Sequence, residues 1–201
     1  ISLSKGSRWK APLTVPMDRY VEHTYRWAFD TWAGAVWQEL EIGGVPVGAP
    51  AFIVNVTESP NYPGEPSLRE NLSVWNQAWF STLRAMSGAF RHARRTGDTD
   101  LARRANLAKA FALAAPMRDG LFPSVYATQM TTVEIDGRPH HRSLGWESAR
   151  WENSNRCPRN YGVTPEWFHV LDMSWTALLM LRWHAELEAD PALLEYATAY
   201  G

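Results

Sequence analysis

The chain has 201 residues, a formal net charge of −1, 45% hydrophobic and 20% charged residues, and one cysteine. These values fit one well-buried domain. They exclude a disordered or fibrous chain, a disulfide framework and a cysteine-based zinc site, and they argue against a dedicated polyanion binder, so no nucleic-acid partner is expected. The uncharged stretch Met173 to Leu181 falls far short of the roughly 20 apolar residues that cross a bilayer, and no membrane partner is expected.

In chain order, Pro16 precedes a helix expected from about Met17 to Ala35, with Tyr20, Val21, Tyr25, Trp27, Phe29 and Trp32 recurring at three and four residues. Val36 to Ile42 alternates apolar and polar, Gly43-Gly44 breaks it, and Val45 to Val56 is rich in Val, Ile and Pro, which reads as a β-hairpin or small sheet. Glu58 to Ser73 has loop composition. A second helix is expected from about Val74 to Thr96, with Trp75, Trp79, Leu83, Met86, Phe90 and Ala93 on one stripe and Gly97 as its stop. Asp98-Thr-Asp100 opens a third, which Pro116 ends.

The long connection from Pro116 to Val163 holds a predicted hairpin, Thr131 to Ile135 turning at Asp136-Gly137, and a loop dense in Trp, Arg and Asn. Thr164-Pro165-Glu166 reads as the start of another long helix running to about Glu188, and Asp190-Pro191 opens a last one. A shift of 92 residues aligns Ala85 with Ala177, His92 with His184, Asp98 with Asp190 and Leu101 with Leu193. The helix, turn, helix layout is given twice. Trp175 to Leu181 is apolar all round, which suits a helix with neighbours on most sides.

Long apolar helices paired by tight turns and linked by Trp-rich loops resemble the (α/α) toroid of the six-hairpin glycosidase superfamily. The strings Val74-Trp-Asn-Gln-Ala-Trp-Phe80, Gly120-Leu-Phe-Pro-Ser-Val-Tyr126 and His169-Val-Leu-Asp-Met-Ser-Trp175 carry the likeness. The resemblance implies a mainly α fold: a partial toroid of antiparallel helical hairpins with small β-hairpins in the connecting loops. It implies that residues 1–201 form a single toroid segment of a larger domain, partnered by the remainder of that chain or by self-association through exposed apolar helices. It also implies a carbohydrate substrate, with the cleft at the long loops, Ala49 to Trp79 and Gly120 to Asp172.

Glycoside hydrolysis needs one carboxylic acid to protonate the leaving oxygen and one carboxylate to activate water or attack the sugar. The loop carboxylates are Asp119, Glu147, Glu152 and Asp172. Asp172 sits in an apolar helix, where burial favours the protonated, general-acid form; the plainer alternative is a structural carboxylate. Glu147 and Glu152 each follow a Trp, as at a sugar subsite, or else pair with Arg150, Arg156 or Arg159. Catalysis is thus expected at Asp172 with Glu152 or Glu147. Trp75, Trp79, Trp146, Trp151 and Trp167 would stack on sugar rings unless they cap the core, and Asn76, Arg150, Asn153 and His169 would bind hydroxyls or a uronate.

The runner-up chemistry is a polysaccharide lyase, which neutralises a uronate with Asn, Arg or His and abstracts a proton with Tyr or His. Asn153, Asn155, Arg156, Asn160, Tyr161 and His169 supply those types. A noncatalytic glycan-binding or structural module is the third possibility. No cofactor is expected, and no metal: His140 and His141 are adjacent and face opposite sides of a strand.

Overall fold

The computed structural model describes residues 16–56, 69–76, 78, 81–153 and 168–200. They fall into two compact units divided after Ala35. In the first, the described element is α1 (Met17–Val36), whose exposed Trp27 and Trp32 meet edge to face with ring centroids 6.3 Å apart.

The second unit mixes sheet and helix. Its sheet elements begin with β1 (Trp37–Ile42) and β2 (Val45–Pro50), an antiparallel hairpin closed by Gly43-Gly44. Both glycines have φ between 60° and 82°, as a two-residue turn matched to strand twist requires. Next come β3 (Phe52–Val56) and β4 (Arg69–Trp75), paired antiparallel. β4 also pairs antiparallel with β5 (Val125–Ala127), and β5 with β8 (Arg150–Glu152). The hairpin of β6 (Met130–Ile135) and β7 (Arg138–Ser143) turns at Asp136-Gly137 and touches β4 at a single parallel pair, Arg69 with His141.

The helices of this unit are α2 (Thr82–Thr96), α3 (Thr99–Leu113), α4 (Val170–Glu186) and α5 (Pro191–Ala199), which pack on one another, with α3 also lying on the strands. Ser81 Oγ accepts the N–H of Arg84 to cap α2, and Asp98 does the same for Leu101 of α3. β2 lies directly on α3, and Gly48 allows the approach: a Cβ there would come within 2.7 Å of the Trp37 ring and 3.1 Å of Leu107. Val47, Ala49, Val74 and Phe111 form the core of this contact. A second cluster, Ala115, Phe122 and Met173, joins the first loop after α3 to the start of α4.

This architecture corrects the mainly α toroid. Among the described residues about half are helical and 26% lie in antiparallel strands; besides the two expected hairpins, Arg69–Trp75, Val125–Ala127 and Arg150–Glu152 are strands. The largest single difference is at residues 69–81. The expected helix from Val74 begins instead at Thr82, and Trp75 belongs to β4. Trp75, Trp79 and Leu83 mimic a helical spacing, but Ser73 to Trp75 pair with Val125 to Ala127, and Ser73 also pairs with Phe52 on its other side. The predicted start at Thr164-Pro165-Glu166 lies outside the described residues. Val170, Leu171, Leu178 and Leu181 are exposed along α4, and no described helix is long and apolar enough to cross a membrane.

Candidate functional site

Asp172 is in the first turn of α4 and has no exposed surface. A charge-bearing side chain survives such burial only with close polar partners. Its Oδ1 accepts the backbone N–H of Ala78 at 3.0 Å. Its Oδ2 lies 3.3 Å from Nδ1 of His169, three residues earlier on the helix. The two atoms are close enough for an ion pair but not aligned for a hydrogen bond, so each lacks a hydrogen-bond partner among the described residues. His169 keeps about a third of its side chain exposed. Of the two side chains, only that of His169 reaches solvent.

Several buried polar groups converge beside this pair. Thr176, one turn further along α4, donates to the carbonyl of Asn76 at 3.2 Å, and the N–H of Asn76 donates to the carbonyl of Ser124 at 2.8 Å. The side-chain oxygen of Asn76 is buried and meets no donor among the described residues. Asn153 directly follows the β8 residue that pairs with Val125, which places it beside Ser124, and it too is buried. Sequence reasoning missed Ser124 and Thr176, and no local signal marks either; the backbone of Ala78 was also not foreseen.

The remaining expected residues are used differently. Glu152 accepts from Nε of Arg150 at 2.9 Å and from Gln129 at 3.4 Å, so its charge is engaged within the sheet. Glu147 is exposed in the 3₁₀ turn Trp146–Ser148. Trp151 packs on Phe111 and Tyr126 with both centroid distances 5.1 Å. Trp146 also packs against the core and donates its indole N–H to Gln38. Trp75 is half-buried, its N–H given to Ser73. The rings of Trp146 and Trp151 therefore serve packing. Trp79, Tyr161 and Trp167 lie outside the described residues, as do Asn155, Arg156, Arg159 and Asn160.

Of the expected site, Asp172, His169 and Asn76 are brought together, with Asn153 nearby; Glu152 and Arg150 pair with each other. Among the described residues no three His, Cys, Asp or Glu side chains cluster as metal ligands would. No protein-family model, curated protein or solved structure matches the chain. The likeness to six-hairpin glycosidases is therefore overturned on both counts: the fold is mixed, and no relative carries the family.

Proposed function

We propose that this protein cleaves a glycosidic bond by acid/base catalysis, with Asp172 and His169 acting as one proton-transferring pair. The observation that carries the reading is the 3.3 Å approach of a fully buried carboxylate to a partly exposed imidazole. Asp172 is too enclosed to touch a glycosidic oxygen itself. Its role is to hold and balance the charge of His169, whose outward nitrogen gives or takes the proton. Asn76 and Asn153 are buried as well, so they form the polar surroundings of the pair rather than a surface for the substrate. On a neutral glycan the pair would serve hydrolysis; on a uronate-containing glycan it would serve elimination, with His169 as base.

The noncatalytic module is favoured by one observation of its own, the engagement of Glu152 by Arg150. A hydrolase of the two-carboxylate kind needs a second free carboxyl facing the first, and Glu152 is not free. The experiment is a panel of neutral and uronate-containing glycans, read by new reducing ends and by unsaturated uronate absorbance. Asp172→Asn and His169→Ala each lower the rate of the substrate found by about a hundredfold or more, with the thermal midpoint of Asp172→Asn nearly kept. Unchanged rates in both variants refute the pair. A panel with no turnover, but with saturable glycan binding, establishes the noncatalytic reading instead.

A further inference from the structure

A cavity of about 250 Å³ lies between α2 and α4, and the Asp172–His169 pair does not use it. Arg84, Ser87 and Arg91 form its α2 wall, spaced three and four apart so that they share one face. Trp175, Arg182, Trp183 and Glu186 contribute from α4. Three guanidinium groups thus line a space that holds one carboxylate. Glu186 is divided between Arg91 at 3.2 Å and Arg182 at 3.6 Å, while the Arg84 side chain has no hydrogen bond or ion pair among the described residues.

The rest of the lining is apolar: the half-buried indole of Trp175, with Trp183, Leu179 and Leu187, faces a charged lining of three guanidinium groups and one carboxylate.

We propose that the cavity binds a small carboxylate carried on a ring, of the chemical class of a sugar acid. The planar fork of Arg84 suits a carboxylate, and the indole of Trp175 offers a flat face for the ring. At about 250 Å³ the cavity is smaller than the roughly 300–1,000 Å³ typical of drug-sized sites, which limits the ligand. A single ring fits and a chain of rings does not.

The test is titration of glucuronate into the whole protein, followed by tryptophan fluorescence and by calorimetry, with glucose and inorganic phosphate as controls. Saturable binding of glucuronate with none of glucose is the expected result. Arg84→Gln weakens it roughly tenfold, whereas Glu186→Gln strengthens it severalfold by releasing Arg91 and Arg182. Failure of the wild-type protein to bind glucuronate, equal binding of glucose, or an unchanged affinity in Arg84→Gln overturns the proposal. Phosphate binding as tight as glucuronate removes the ring contact and overturns the ligand class. Should Arg84→Gln unfold, Glu186→Gln still decides: unchanged or weaker binding refutes the assignment. None of these readouts depends on turnover, so the cavity and the Asp172–His169 pair fail or stand separately.

Discussion

The two helical hairpins of the second unit solve the same turn in different ways. Between α2 and α3 the chain needs only Gly97 and Asp98: Gly97 takes a left-handed φ of 75°, returns its N–H to Ala93 at 2.8 Å, and Asp98 caps the next helix. Between α4 and α5 no glycine is present, and Leu187 ends the helix with an ordinary negative φ. The backbone still closes the helix end, with the N–H groups of Leu187 and Glu188 both donating to the carbonyl of Trp183, and side chains add to it. The N–H of Asp190 donates to Nδ1 of His184 at 2.9 Å, and Lys109 of α3 reaches Glu188 at 3.1 Å and Asp190 at 2.7 Å. Arg94 of α2 donates to the carbonyl of Leu187. Both turns keep the backbone bonds of a helix end; the one with a left-handed glycine adds little to them, whereas the one without it draws on its neighbours as well. The second hairpin, which carries Asp172, is consequently tied to the first.

If that tie is the rule, removing the packing between α2 and α4 should have the largest effect. Trp183 has no exposed surface and stacks on Phe90 at a centroid distance of 5.1 Å. Trp183→Ala is expected to cost about 3–5 kcal/mol, as for other large-to-small changes in a core, measured by denaturant unfolding. A loss near that of a surface substitution would show the hairpins to be independent.

The two aspartates provide the next test. Asp98→Ala removes a helix cap and should cost about 1 kcal/mol. Asp190→Ala removes both a cap and the partner of Lys109 and should cost more, about 1–2 kcal/mol. The Lys109 hydrogen bond also holds the Asp190 carboxyl below its ordinary value of 3.8, partly opposed by burial. A carboxyl lowered by folding contributes stability above its unfolded value, and that contribution is lost as pH falls through the folded one. The gap between Asp190→Ala and the wild type should therefore narrow as pH falls below about 3.8, the ordinary value. Equal costs for the two aspartates at neutral pH would break the comparison.

Of the same size as Asp98→Ala is Gly97→Ala. Nothing lies within 4 Å of a Cβ placed there, so the φ of 75° alone sets the penalty. About 1 kcal/mol is expected, with no change in the α4–α5 turn; a nuclear magnetic resonance shift at Asp190 in this variant would contradict the self-sufficiency of the first turn.

These devices are local, and that is why they were legible. Gly43-Gly44, Gly97-Asp98 and Asp136-Gly137 each specify a backbone conformation within two residues. β4 was misread as helix because its partners are distant: Val125 to Ala127 pair with it from about fifty residues away, and nothing within residues 69–81 announces them. The site divides in the same way. Asp172 stood out as a charge in an apolar helix, and His169 is its neighbour by helical spacing. The N–H of Ala78, the carbonyl of Asn76 and Ser124 arrive through the sheet. The aromatic partners of Trp151 were equally hidden, and so a residue expected to face sugar was found against Phe111 and Tyr126.

The smallest effect should come from the ion pair that joins the first hairpin to β1. Arg103 donates to both oxygens of Glu39, at 2.7 Å and 3.0 Å, and these bonds, with a further one from Trp37, bring the Glu39 carboxyl down to about 2. Both side chains are about half exposed, so water and salt screen the attraction and little of that lowering becomes stability. Glu39→Gln should therefore cost less than Asp98→Ala. Its contribution is complete above the ordinary carboxyl value of 4.5 and fades as pH falls toward about 2, and it should shrink further in molar salt. Denaturant midpoints of the two variants at pH 7, with and without salt, check the order. A Glu39→Gln loss larger than that of Asp98→Ala, and unaffected by salt, would mean that β1 anchors α3 more firmly than the helix cap does.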